Sequence, residues 1–183
     1  MTFDPNLTLE TERLLLRIPR AEDLDPWSAM MADEEVARFI GGAMGREQTW
    51  RVMAAVTGSW VLQGFSMFSV IEKSSGRWVG RIGPWRPDGW PGTEIGWGLS
   101  RHSWGKGYAV EAAAACMDFA VDVLGWDDVI HTIDPENAGS QKVAQRLGST
   151  NRGATRLPPP LDGFNVEAWG QTADQWRARR KPA

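Results

Sequence analysis

Several common protein classes are excluded by what this chain lacks. One cysteine, Cys116, in 183 residues leaves no disulfide framework, and its Ala-rich surroundings mark it as a small buried apolar residue. Lysine is scarce, four residues against sixteen arginines, which reflects base-composition bias. With a net charge of −3 there is no basic excess to draw the chain to nucleic acid or an anionic membrane. No run approaches the ~18 apolar residues of a membrane span. The opening Met1-Thr2-Phe3-Asp4-Pro5-Asn6 has neither the charge nor the apolar stretch of a signal peptide. A cytoplasmic protein is expected, with no metal site, and monomer and homodimer stay equally open. Tyrosine is almost missing: Tyr108 is the only one, against eleven tryptophans. Trp27, Trp50, Trp60 and Trp78 lie in apolar periodic segments and are expected in the core. Trp85 and Trp90 flank a Pro/Gly-rich turn, where they either pack or line a pocket.

No repeat or interdomain linker interrupts the chain, so residues 1–171 are expected to form one domain, followed by a polar, basic tail over 172–183. Alternation and turn residues predict strands at Arg13–Arg17, Phe65–Glu72, Trp78–Trp85, Thr93–Leu99, Val129–Ile133 and Phe164–Trp169. Helical spacing predicts short helices around Leu24–Met31 and Val36–Ile40, and a longer one over Arg46–Leu62. In that longer helix Trp50, Met53, Ala54, Thr57 and Val61 form the expected buried stripe. Two more helices are predicted, Val110–Leu124 and Gly139–Leu147. Tyr108, Ala112, Ala115, Phe119 and Val123 share one face around the first. The three central strands are joined by connections too short for parallel crossovers, so they are antiparallel. The result is an α+β plan: a mostly antiparallel sheet of about six to seven strands with one parallel strand–helix–strand unit.

That unit holds the most informative residues. The strand Thr93-Glu94-Ile95-Gly96-Trp97-Gly98-Leu99 runs into Trp104-Gly105-Lys106-Gly107-Tyr108-Ala109 and then directly into a helix. A glycine-rich turn opening a helix gathers backbone N–H groups and the positive end of a helix dipole at one point, suited to phosphate. The spacing is not that of a Walker loop. It is also a poor dinucleotide fingerprint, because Val110 stands where a third small residue belongs and Asp127 and Asp128 precede the next strand. A nucleotide-containing cofactor such as coenzyme A fits better, and a turn that merely needs two glycines is the plain alternative.

With these segments in view the chain resembles the GNAT superfamily of N-acyltransferases, in particular the branch with the bacterial ribosomal-protein N-terminal acetyltransferases. Thr11-Glu12-Arg13-Leu14-Leu15-Leu16-Arg17, the central strand–loop–helix segment, and Asn137-Ala138-Gly139-Ser140 with Val143-Ala144-Gln145-Arg146-Leu147-Gly148 carry the likeness. The resemblance implies acetyl-CoA as co-substrate, with its pyrophosphate on the N–H groups of Gly105, Lys106, Gly107, Tyr108 and Ala109. His102 replaces the Gln or Arg that members often carry before the loop, which puts that contact in question. The resemblance also implies a pantetheine arm beside the Glu94–Leu99 strand, which splays from Val129–Ile133 to admit it. Gly96 and Gly98 suit a bulge there, or simply make room for tryptophan packing. An N–H freed near Trp97 to Leu99 would face the thioester oxygen.

Locally, Asn137 reads as a helix N-cap and Ser140 as a third-position residue. The resemblance adds that Asn137 holds cofactor amides and that Ser140 protonates the departing sulfur, a role many members give to a tyrosine. Glu94 is the candidate base for the amine, its plain alternative being a surface strand carboxylate; Asp134 and Glu136 are weaker rivals, and His131 reads as structural. The expected reaction is acetyl transfer to a primary amine, either a protein N-terminus or a small molecule, in a ternary complex. An idle acyl-CoA-binding module and a dinucleotide oxidoreductase are the competing classes.

Overall fold

The computed structural model describes residues 4–180. The first residues read for a leader and the last of the expected tail lie outside these. Eight strands are present: β1 (Thr8–Glu10), β2 (Leu14–Arg17), β3 (Phe68–Glu72), β4 (Arg77–Trp85), β5 (Glu94–Leu99), β6 (Asp128–Ile133), β7 (Thr150–Thr155) and β8 (Val166–Thr172). They form one sheet in the order β1-β2-β3-β4-β5-β6-β8-β7. Every neighbouring pair is antiparallel except β5 and β6, which are parallel. The α+β plan is therefore as expected. The strands missing from the sequence reading are β1, only three residues long, and β7, whose Thr-Asn-Arg-Gly-Ala-Thr has no apolar alternation. Both are edge strands with little to bury.

Helices cover both faces: α1 (Leu24–Ala32), α2 (Glu34–Ala37), α3 (Arg46–Gln63), α4 (Tyr108–Asp118), α5 (Ala138–Leu147) and α6 (Ala173–Arg180). On one face Leu14, Leu16, Phe68, Val70, Ile82 and Ile95 pack against α4 through Ala112, Ala113, Cys116 and Met117. Small residues on α4 let that helix lie close to the sheet. On the other face Trp27, Met30, Met31, Val36, Met53 and Val56 from α1, α2 and α3 meet Met67 and Trp78. A buried ion pair anchors this side: Arg17 donates from both guanidinium ends to Asp23 at 2.7 Å, and Asp23 also accepts from Ser69.

Three packing expectations change. Trp50, Ala54 and Val61 are exposed, because α3 buries Thr49, Met53, Val56, Ser59 and Trp60 instead. Polar Thr49 and Ser59 hide the true stripe from a reading based on apolar spacing. Val123 is exposed as well. The helix continues past α4 as a π-turn over Phe119–Val123, with Leu124 N–H on Phe119 C=O at 3.0 Å, and the wider turn rotates Val123 off the buried face. The tail, read as a frayed helix or disorder, is a helix from Ala173 that docks on the domain. Trp176 of α6 is buried against the α4 side and its indole N–H donates to Asp118 at 2.9 Å.

Trp176→Ala is therefore expected to cost about 3 kcal/mol of stability in urea unfolding. An unchanged midpoint would show that α6 contributes nothing to the core.

Candidate active site

The site begins where β5 and β6 part. Their parallel ladder holds at Glu94↔Ile130, with Ile130 N–H on Thr93 C=O at 2.9 Å. The next ladder bond would join Thr132 N–H to Ile95 C=O. Side chains take both groups instead. Thr132 N–H donates to Glu94 Oε1 at 2.9 Å, and Ile95 C=O accepts from His131 Nδ1 at 2.7 Å. Glu94 and His131 thus form a wedge that opens the sheet. Because a carbonyl only accepts, Nδ1 carries the His131 proton, and Nε2 accepts from Ser149 at 3.0 Å. Burial holds the imidazole pKa down at about 4, so the ring stays neutral and structural, as its strand position suggests.

Beyond the wedge, one edge of β5 is bare. Ser100 N–H bonds Val79 C=O on β4, so alternation turns the N–H groups of Trp97 and Leu99 into the gap. The expected bulge at Gly96 and Gly98 is absent: the β4–β5 register runs unbroken from Gly80↔Leu99 to Trp85↔Glu94. Splaying needs no bulge because side chains have already replaced the ladder. Nor do the glycines make room for tryptophan: a Cβ on Gly96 would lie 2.8 Å from Met67 Cε, and one on Gly98 3.3 Å from Ile40 Cδ1.

Two clefts meet at this gap. The first, about 600 Å³, lies on the α4–α5 side and includes Gly105, Gly107, Tyr108, Ala109 and Leu99 in its walls. Gly105 and Gly107 have φ of +74° and +80°, a region that disfavours side chains, and a Gly105 Cβ would stand in open space. The first N–H groups of α4 have no helical acceptors and point into this cleft. Lys142 and Arg146 of α5 add positive charge there, a feature the sequence reading missed although their i, i+4 spacing puts them on one face. The cradle fits a pyrophosphate. His102 and Lys106 are not among the walls; Lys106 Nζ lies 3.8 Å from Glu72, on the outer side of the loop. Tyr108 donates its hydroxyl to Glu72 and so has no free proton for chemistry.

The loop is fastened from β2's approach. Arg13 Nη1 donates to Lys106 C=O at 3.0 Å, and Glu111 accepts from Thr11 Oγ1 at 2.6 Å and Arg13 Nε at 2.7 Å. Burial opposes the charge on Glu111, but these donors outweigh it and hold the carboxyl below its ordinary range. Thr11, Arg13 and Glu111 stand in the quoted motif segments without a role; their contact spans 98 residues and only folding reveals it.

The second cleft, about 520 Å³, lies on the α1–α3 side and shares Trp97, Asn137 and Ser140 with the first. Trp97 Nε1 donates to Ser140 Oγ at 3.1 Å, so the serine oxygen is held as acceptor while its own proton stays available. Asn137 caps α5, its Oδ1 accepting Ser140 N–H at 2.9 Å. Glu94 is buried, not a surface carboxylate, and faces the second cleft. Burial pushes its carboxyl above the ordinary range, against hydrogen bonds from Thr132 and Trp90. Trp85 and Trp90 line this cleft, as their pocket reading requires. Asp134 also lines this cleft, its Oδ1 accepting Glu136 N–H at 2.7 Å, while Glu136 borders the first cleft and pairs with Arg38. Among the described residues no cluster of His, Cys, Asp and Glu is fit for a metal ion, and no helix is long and apolar enough to cross a membrane.

Known proteins resemble this chain in sequence and in fold. The family model for the acetyltransferase (GNAT) domain matches residues 13–150. An uncharacterized N-acetyltransferase, p20 of Bacillus licheniformis, is 32% identical over 152 residues, covering 81% of this chain and 85% of that protein. The acetyltransferase of Agrobacterium tumefaciens str. C58 superimposes with a TM-score of 0.78 at 30% identity, covering 90% of this chain and 94% of that one. The ribosomal-protein-S5-alanine acetyltransferase of Vibrio fischeri shares the fold, with a TM-score of 0.74 at 18% identity, covering 97% of this chain and 100% of that one. With the splayed strands, the glycine cradle and the matched segments in agreement, the chain belongs to the GNAT acetyltransferase family.

Proposed function

We propose that this protein transfers an acetyl group from acetyl-CoA to a primary amine, with Glu94 as base and Ser140 as acid. Bound in the first cleft, acetyl-CoA supplies the activated acetyl group. The N–H groups of Gly105, Gly107, Tyr108 and Ala109 hold its pyrophosphate, and the Lys106 N–H belongs to the same loop. His102 and the Lys106 side chain, which stand outside the cleft, take no part. Asn137 and the bare β5 edge hold the pantetheine amides, and the Trp97 or Leu99 N–H steadies the acetyl oxygen.

Chemistry takes place at the gap between the clefts. Glu94 takes a proton from the ammonium, and the freed nitrogen attacks the acetyl carbon. The carbon–sulfur bond breaks, Ser140 passes its hydroxyl proton to the sulfur, and the Ser140 oxygen regains a proton from the nitrogen, which sheds its second one as the amide forms. A raised pKa suits Glu94 to this work, because a base nearer the working pH accepts a proton more readily. The observation that carries the reading is that Glu94 and Ser140 border one opening, with Ser140 Oγ fixed by the Trp97 indole.

Thiol release from acetyl-CoA over a panel of N-terminal peptides, amino acids, polyamines and aminoglycosides tests it. Glu94→Gln and Ser140→Ala are each expected to lower kcat about 100-fold. Activity falls as pH drops through the Glu94 pKa, so the acid limb of the wild-type profile lies above the usual carboxylate range, and Glu94→Gln removes it. Acetyl-CoA binding with no turnover on any acceptor would leave a binding module. Gly105→Glu places a carboxylate in the cradle and should weaken acetyl-CoA binding about 100-fold in calorimetry, with circular dichroism unchanged. Undiminished affinity would remove the loop from the site.

A further inference from the structure

Arg81 is a cation in the second cleft that the chemistry above leaves unused. On β4 it pairs with Gly98, and its stem lies over that glycine, Cγ standing 4.0 Å from the position a Gly98 Cβ would take. The guanidinium shares the cleft with Glu94. Its partners are weak. Nη1 meets the Met67 sulfur at 2.6 Å, the head lies 5.8 Å from the Trp27 ring centroid, and Nε is buried with no hydrogen-bond partner. A thioether is a poor acceptor for a guanidinium. Glu94 favours the charge on Arg81, but its own oxygens are engaged by Trp90 and Thr132. Burial still dominates and holds the Arg81 pKa down at about 10.

Met67 stands between the two charges. Its sulfur touches Arg81, and its Cε lies 2.8 Å from the Cβ position of Gly96, which is itself 3.7 Å from Glu94 Oε1. An unbranched thioether is easily displaced, and moving it would expose a planar fork of donors across the cleft from the candidate base. Such a fork matches a carboxylate in shape and charge. Most of the remaining wall, including Met44, Val52, Trp85, Leu157 and Phe164, is apolar or aromatic, with Gln48, Thr132, Asp134 and Asn137 among its polar members. A polycation would meet the charge of Arg81 in the same cleft as Glu94 and Asp134, whereas an amino acid offers each sign its opposite.

Resting on the acetyltransferase reading, we infer that the acceptor is an amine that also carries a carboxylate, bound by Arg81. Its class is a free amino acid with an apolar or aromatic side chain. The amine then lies toward Glu94 and Ser140, and the side chain against the tryptophans.

Matched ligands test this: phenylalanine, leucine and methionine, their amides, the corresponding decarboxylated amines, and spermidine. Binding is read by intrinsic tryptophan fluorescence of the protein saturated with coenzyme A, because Trp85 and Trp90 line the cleft. At least one free amino acid is expected to bind about 100-fold more tightly than its amide or amine, as for a site built to pair a polar group. Thiol release from acetyl-CoA follows the same order. Arg81→Gln brings the acid-to-amide ratio close to one, and Arg81→Lys restores part of it. Equal affinity for acid and amide, preference for the amine or spermidine, or no binding by any ligand overturns the inference. The wild-type comparison decides alone if Arg81→Gln does not fold. Carboxylate-selective binding without thiol release would overturn the acetyltransferase reading and leave the Arg81 assignment standing.

Discussion

The exchange of main-chain for side-chain hydrogen bonds between β5 and β6 is the constraint on which the rest of the site depends. After the bridge at Glu94 and Ile130, the Thr132 N–H goes to Glu94 and the Ile95 carbonyl to His131. Both main-chain groups at this step keep a partner, so the split begins without the penalty of broken ladder bonds. The two clefts share a border only because of this split. Glu94 therefore holds the sheet open and faces the cleft in which an acceptor would sit.

Two carboxylates at the site illustrate how surroundings divide labour. Glu111 takes hydrogen bonds from Thr11 and Arg13 and is held in its charged form, so it fastens the glycine loop. Glu94 is deeper, and burial prevails over its donors, so it is poised to exchange a proton. The same logic applies to Arg81, buried with a thioether where an arginine ordinarily finds an anion. A poorly paired charge bordering a largely apolar cleft is a physical reason to expect a ligand of opposite charge.

Much of the fold was legible because its signals are local. Alternation marked the central antiparallel strands, and Gly64 and Gly148 marked helix ends, both in the left-handed region. The edge strands β1 and β7 escaped because they bury little and so have no reason to alternate. Trp50, Val61 and Val123 misled for a related reason: a large apolar side chain on a helix favours burial only when the helix phase permits. In α3 polar residues occupied the inner face, and beyond α4 a π-turn shifted the phase.

Within the site, the glycine cradle, the N-cap at Asn137 and the order of strand, loop and helix are legible along the chain, because each depends on neighbours a few residues away. Tertiary structure alone decided that Glu94 is buried, that Trp97 steadies Ser140 across 43 residues, and that Arg13 and Glu111 clamp the loop across 98. It also decided that His102 and the Lys106 side chain stand apart from the cleft. Backbone conformation follows from short-range sterics and hydrogen bonding. Side-chain partnership and burial follow from which distant surfaces the folded sheet brings together, and no spacing in the chain records that.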